Sequence, residues 1–188
     1  MRVFRGHSRP VPAPVVLAIG NFDGVHLGHA ALVKRLVEVA ERCQMEPTVL
    51  TFEPHPREFF VPDSAPARLT TLREKLELLG ECGVSQAMIC PFNAAFAALS
   101  AEEFIEQVLV RGCQLRHLII GDDFRFGRGR KGDFVLLQEA GQRLGFTVEA
   151  MGSVMVDGER VSSSAVRKAL EAGDMEHTAR LLGRPYVI

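Results

Sequence analysis

Apolar residues in this chain fall into short unbroken runs separated by longer stretches of helical spacing. Val15-Val16-Leu17-Ala18-Ile19, Pro47 to Phe52, Ala87 to Cys90, Leu118 to Ile120 and Phe146 to Ala150 form the runs, and their length and branched content predict strands, the most apolar of them buried on both faces. Between the first two runs, Leu27 to Cys43 places apolar residues at Val33, Leu36, Val37, Ala40 and Cys43, one face of a helix. Thr71-Leu72-Arg73-Glu74 and Ser100-Ala101-Glu102-Glu103 are capping boxes. They predict helices through Leu76 and Leu79 to about Gly83, and through Phe104, Val108 and Leu109 to Gly112. Phe134 to Leu144 is a further helix. Strands that alternate with helices this regularly predict an α/β fold with a doubly wound parallel sheet.

The margins of the pattern are less regular. Met1 to Pro14 reads as an extended lead-in, because Pro10, Pro12 and Pro14 forbid a helix there. Residues near 55–70 and 90–100 fit the alternation poorly and are expected to form a smaller lobe or lid. Val156 to Val161 is a turn between two extended pieces. A helix should begin near Ser163 and a last one near Asp174, ending at Gly183, with Pro185 barring continuation. The main domain is therefore expected over 15–183. Tyr186-Val187-Ile188 is strand-like and apolar, as if a further domain began there, so the chain is expected to be the first part of a longer one.

Bulk composition narrows the class. The chain has 188 residues, 47% hydrophobic and 24% charged, with a net charge of −1, which offers no general attraction for nucleic acid or an anionic membrane. No apolar run reaches the length of a membrane span, and the N-terminus lacks the apolar core of a signal peptide. Cys43, Cys82, Cys90 and Cys113 form no C-x-x-C pair and lie beside apolar residues. They read as buried free thiols of a cytoplasmic protein.

The chemistry concentrates between the first strand and the first helix, in Gly20-Asn21-Phe22-Asp23-Gly24-Val25-His26-Leu27-Gly28-His29. A helix start directs free N–H groups and the positive end of the helix dipole outward, which suits a phosphate. His26 and His29 share one face of that turn, and Gly28 between them removes a side chain that would keep a flat ligand off the backbone. A His-x-x-His metal site would need a third ligand, and none is evident nearby. The alternative, a turn whose histidines merely cap and solvate, leaves three glycines and two histidines in ten residues unexplained. Glu53-Pro54-His55-Pro56 opens a proline-stiffened loop at the carboxyl end of the second strand, where ligands of open α/β sheets sit. Gly127-x-Gly129-x-x-Gly132, with Glu149 at the end of the following strand, matches a dinucleotide fingerprint, but its first glycine comes six residues too late. It reads as a mobile basic loop.

The stretch from Phe22 to His29 resembles the His-x-Gly-His signature of the nucleotidylyltransferase superfamily. In its longer form, from Gly20, it is similar to the prokaryotic FAD synthetase family, specifically the first module of the bifunctional riboflavin kinase/FMN adenylyltransferases. Val161-Ser162-Ser163-Ser164-Ala165-Val166-Arg167 resembles the superfamily's second motif, Ile-Ser-Ser-Thr-x-Ile-Arg, with Ser164 in the threonine place; on spacing alone it is a helix N-cap followed by a solvated arginine. Gly121-Asp122-Asp123-Phe124-Arg125-Phe126-Gly127 resembles the family's segment bordering ATP and flavin, although Asp122 and Asp123 equally suit a solvated turn. The Thr51–Pro56, Arg68–Thr71 and Gly183–Tyr186 segments are similar as well, so the resemblance spans 15–186.

The resemblance implies a Rossmann-like fold and FMN adenylyltransfer, in which ATP and FMN give FAD and pyrophosphate with Mg²⁺. It implies that His29 acts on the α-phosphate, His26 on the neighbouring phosphates, and Ser163, Ser164 and Arg167 on the β- and γ-phosphates. Gly20, Asn21, Phe22, Asp23 and Gly28 would shape the nucleotide pocket. Phe52, Pro54, His55, Pro56, Asp122, Asp123, Phe124 and Phe126 would border the flavin, and a riboflavin kinase module would follow 184–188. Mg²⁺ would ride on phosphate oxygens with few protein ligands. Two other readings stand beside this one: transfer to another phosphate acceptor (nicotinamide mononucleotide, phosphopantetheine or glycerol phosphate), or a nucleotide-binding module without catalysis.

Overall fold

The structure, a computed structural model, describes residues 1–187. Its centre is a six-stranded, wholly parallel sheet built from β1 (Arg2–Arg5), β2 (Val15–Ile19), β3 (Glu46–Glu53), β4 (Gln86–Pro91), β5 (Leu115–Gly121) and β6 (Thr147–Met151), in the order β1-β4-β3-β2-β5-β6. From β2 the chain winds outward through β3 to β4, then crosses back to β5 on the other side of β2. The strand order thus reverses between β2 and β5, which opens a crevice at their carboxyl ends.

All five residues of β2 are buried, because alternate side chains enter opposite layers. Val15, Leu17 and Ile19 join Leu118, Ile120, Leu109 and Leu137 on one face. Val16 and Ala18 join Ile119, Val49, Leu36 and Leu79 on the other. The first layer is covered by α5 (Ala101–Glu103), which continues as wider π-type turns over Phe104–Gly112, and by α6 (Phe134–Leu144). The second is covered by α1 (Leu27–Cys43) and α3 (Leu72–Glu81). Both expected capping boxes form, at Thr71 with Glu74 and at Ser100 with Glu103.

Within the N-terminal segment, Arg2–Arg5 is extended and contributes an edge strand to the sheet. Arg2–Arg5 pairs with β4, and Val11, buried, donates its N–H to the Gly112 carbonyl at 3.0 Å. A four-residue strand with an arginine at each end carries too little pattern to separate it from a lead-in.

The proline loop after β3 is partly helical. Pro56 occupies the first position of α2 (Pro56–Phe60), where its missing N–H costs nothing. The 90–100 segment carries α4 (Ala94–Ala97), and the two irregular segments meet through an aromatic cluster in which Phe92 lies 5.6 Å from both Phe59 and Phe60 and 5.5 Å from Phe96. Beyond β6, a short hairpin of β7 (Met155–Val156) and β8 (Glu159–Arg160) leads into α7 (Ser163–Glu171) and α8 (Met175–Leu182), which share their own apolar cluster with Leu69 and Val161. Ile188 lies outside the described residues.

Two expectations need correction. Cys90 and Cys113 are buried, whereas Cys43 is exposed and Cys82 half-buried. The basic glycine loop is pinned rather than free: Phe126 and Gly132 bridge, and the Arg128 N–H donates to the Leu99 carbonyl at 2.7 Å. Its glycines serve packing. A Cβ at Gly132 would lie 2.4 Å from the Phe126 ring, and one at Gly127 2.7 Å from the Ala101 backbone. Glu149 is held by Arg35 Nε and Nη2, at 2.6 and 3.0 Å, so it is committed to α1.

Candidate active site

The crevice between β2 and β5 holds a cavity of about 260 Å³. Gly20, His26, Gly28 and His29 form one wall; Gly121, Asp122, Asp123 and Phe124 form the second; Met151 to Val154 and Arg160 to Ser162 form the third. The expected residues Gly20, His26, Gly28, His29, Asp122, Asp123 and Phe124 therefore converge.

The signature turn is a left-handed excursion of the backbone. Phe22, Gly24 and Val25 have φ of 52°, 83° and 40°, and such a value at β-branched Val25 is costly unless the surroundings impose it. Arg184, just beyond α8, imposes it by donating to the Gly24 and Val25 carbonyls at 2.7 and 2.9 Å. Phe22 is fully buried, with its ring 5.2 Å from that of His29. It belongs to the core beneath the site, and a Cβ at Gly20 would crowd that ring at 3.2 Å. Gly28 clears the histidine pair rather than a ligand alone, since a Cβ there would sit 3.1 Å from the His26 imidazole.

His26 is the N-cap of α1, its Nδ1 accepting from the His29 N–H at 3.3 Å. An accepting Nδ1 leaves the proton on Nε2, so His26 offers an N–H donor away from the helix. The two imidazoles stack, with centroids 3.7 Å apart. Burial lowers the His26 pKa to about 4. Burial, then His26 and then Lys75, push His29 well below the ordinary range. Both rings are neutral at pH 7 in the free protein, and His29 Nδ1 is fully enclosed with no hydrogen-bond partner.

The second motif lies alongside but faces differently. Ser162, not among the expected residues, caps α7 by accepting from the Ala165 N–H at 3.1 Å and lines the cavity. Ser163 donates to the Asp23 carbonyl at 2.9 Å, and Ser164 is exposed. Arg167 does not open onto the cavity. Its guanidinium pairs with buried Asp23 and donates to the Ala67 carbonyl at 2.7 Å. Asp23 in turn accepts from the Leu69 and Thr70 N–H groups at 3.0 and 3.1 Å. Asp23 and Arg167 thus tie the signature turn, the 67–70 segment and α7 into one unit; a carboxylate with such partners has no capacity left for a nucleotide.

On the β3 side, His55 caps α2 by accepting from the Arg57 N–H at 3.1 Å, and burial lowers its pKa. Asn21 offers its carbonyl to Thr51 at 3.2 Å. Phe52 packs 5.8 Å from Phe92 and from Phe96, Pro54 is exposed, and Pro56 starts α2. Phe126 is a correction: its ring is buried against Phe104 and Phe124, so it backs the site and Phe124 alone of the two reaches the cavity. Arg160 and Met151 to Val154 carried no motif, although Arg160 now pairs with Asp123 at 2.6 Å across the rim.

The family model described as FAD synthetase matches residues 8–165. The chain belongs to the FAD synthetase family. It is 47% identical over 191 residues to the bifunctional riboflavin kinase/FMN adenylyltransferase of Escherichia coli K12, and 49% over 190 residues to that of Pseudomonas fluorescens. In both cases all of this chain is covered and it spans 61% of the relative's length. A crystal structure described as a macrolide-efflux protein from Streptococcus pneumoniae superposes with a TM-score of 0.86 at 22% identity, over 99% of this chain and 61% of that one. At that identity the likeness speaks for the fold, which is the same α/β architecture. No helix among the described residues is long and apolar enough to cross a membrane.

Proposed function

We propose that this FAD synthetase family chain is an FMN adenylyltransferase, converting ATP and FMN to FAD and pyrophosphate. The observation that carries the reading is the stacked, neutral His26–His29 pair at the start of α1, opening on the cavity at the sheet's switch point, in a chain of this family. A phosphate oxygen of FMN attacks the α-phosphorus of ATP in line; the new P–O bond forms as the bond to the β-phosphate oxygen breaks, and pyrophosphate leaves with that electron pair. No covalent enzyme intermediate is needed. The chain's task is to position two anions and stabilise charge on the transferred phosphoryl group.

His26 Nε2–H and the free N–H groups at the start of α1 bind triphosphate oxygens. His29, enclosed beside them, donates to the α-phosphate as its charge grows. Arg167, Ser163 and Ser164 hold the α7 side of the site, with Arg167 reaching phosphate only by exchanging its Asp23 contact. Phe124 and the Phe52–Pro56 segment flank the flavin.

Among the described residues no three His, Cys, Asp or Glu side chains cluster as a metal cage. A Mg²⁺ would be held on phosphate oxygens, with the exposed Asp122 carboxylate on the cavity wall available to it. Such an ion, when bound, neutralises charge on the departing pyrophosphate. The segment from 184 would lead into a riboflavin kinase module, as in the bifunctional relatives, and a cytoplasmic location fits this role.

Flavin fluorescence tests the acceptor. Titrating FMN into the protein with a non-hydrolysable ATP analogue should quench emission saturably, and nicotinamide mononucleotide, phosphopantetheine or glycerol phosphate should not displace it. Displacement by one of these at lower concentration than FMN contradicts the assignment.

A further inference from the structure

Lys75 is only 5% exposed, yet among the described residues its ammonium makes no hydrogen bond or ion pair. Buried lysines are rare because an ammonium taken from water needs acceptors for its three donors. The carboxylates around it are already engaged. Asp23 is filled by Leu69, Thr70 and Arg167, and Arg68 holds both Glu53 and Glu58 at 2.6 Å. Nor is the ammonium among the fully enclosed unpartnered atoms, which are His7 Nδ1, His29 Nδ1 and His117 Nε2. It therefore keeps an opening.

Its position in α3 says where that opening leads. Helical side chains lean toward the helix N-terminus, so the Lys75 stem runs back toward Thr71 and Thr70. There Thr70 Oγ1 accepts from the Gly24 N–H at 3.1 Å, joining α3 to the signature turn. The Lys75 charge acts on both His29 and His55, adding to burial in keeping those rings neutral. Burial lowers Lys75 itself, against the opposing pull of Asp23, Glu53 and Glu58 and together with the repulsion of Arg68. His29 lines the nucleotide cavity, and Lys75 does not.

We infer that Lys75 binds the phosphomonoester of the acceptor, on the side of the signature turn where α3 joins it through Thr70 and Gly24. The inference rests on the adenylyltransferase reading and adds to it the residue that recognises the acceptor's anionic end. A phosphomonoester supplies the oxygens that the ammonium lacks, at the end of α3 that is tied to the turn carrying His26 and His29. The same ammonium makes the site discriminate FMN from unphosphorylated riboflavin.

The test compares FMN with riboflavin, which lacks the phosphate, by fluorescence titration of the parent protein, Lys75→Met and Lys75→Arg, with thermal unfolding to confirm folding. Met keeps the apolar stem, and Lys75→Gln serves the same comparison where Lys75→Met fails to fold. Lys75→Met should weaken FMN binding about 10- to 100-fold, the worth of a charge-assisted hydrogen bond to a desolvated anion. Riboflavin and ATP affinities should stay within about twofold, and Lys75→Arg should recover part of the FMN affinity. A preference for FMN that survives in Lys75→Met, or a loss of ATP affinity instead, overturns the assignment. Failure of the parent to make FAD from FMN would instead overturn the adenylyltransferase reading and this inference with it.

Discussion

His29→Ala is expected to lower kcat by about 10²-fold or more while changing ATP affinity little, the pattern of a donor whose interaction strengthens as transition-state charge develops. His29 is placed for that role by its surroundings. Its backbone N–H is spent on His26 Nδ1 at 3.3 Å, its ring stacks on His26, and its Nδ1 has no partner. A neutral, enclosed imidazole costs no reorganisation at the moment of reaction and acts in a site of low dielectric. Steady-state kinetics of FAD formation together with an equilibrium ATP titration separate the two effects. A kcat within a few-fold of the parent would return His29 to a structural role under α1.

The second large effect is expected at Arg167, and the structure changes its character. Sequence reading presents this residue as a phosphate clamp, yet here its side chain is only 15% exposed and paired with the Asp23 side chain, itself 5% exposed. Removing one partner of such a pair leaves the other charge buried and uncompensated, which costs about 3–5 kcal/mol. Arg167→Ala should therefore unfold at markedly lower urea concentration, and its ATP affinity should fall with it, since Asp23 anchors the turn that carries His26. Arg167→Lys should recover only part of the stability, because a single ammonium cannot serve both Asp23 and the Ala67 carbonyl in the geometry of a planar fork. An unchanged unfolding midpoint in Arg167→Ala would show that the pair contributes nothing. A lowered midpoint with unchanged ATP affinity would confine Arg167 to the scaffold.

The sheet was readable in advance because its central strands are buried on both faces and so appear as unbroken apolar runs. Arg2–Arg5 escaped because it is a short edge strand, and α2 escaped because two prolines in five residues look like a loop unless one of them falls at a helix start. Of the site, the signature turn was readable because a left-handed turn, a helix start and two histidines leave a dense local pattern. Its supporting contacts left none. Arg184 reaches the Gly24 and Val25 carbonyls from the far end of the chain, and Met151 to Val154 line the cavity mainly through their place after β6. The motifs place Phe22 at the nucleotide pocket and Phe126 at the flavin border, because a motif names a residue without showing which way its ring points. Lys75 did leave a signal. It stands three residues after Leu72 and four before Leu79, on the apolar stripe of α3, where a lysine is out of place unless something meets it.

The central claim, transfer of AMP from ATP to FMN at the His26–His29 turn, is tested most directly by one incubation. The purified 188-residue chain is mixed with Mg²⁺, FMN and ATP labelled at the α-phosphorus, and the products are separated by chromatography. The expected result is label in FAD, with one pyrophosphate released for each FAD formed, and none of either product when riboflavin replaces FMN. Bound ATP with no labelled FAD, or label transferred to another phosphate acceptor in preference to FMN, would contradict it.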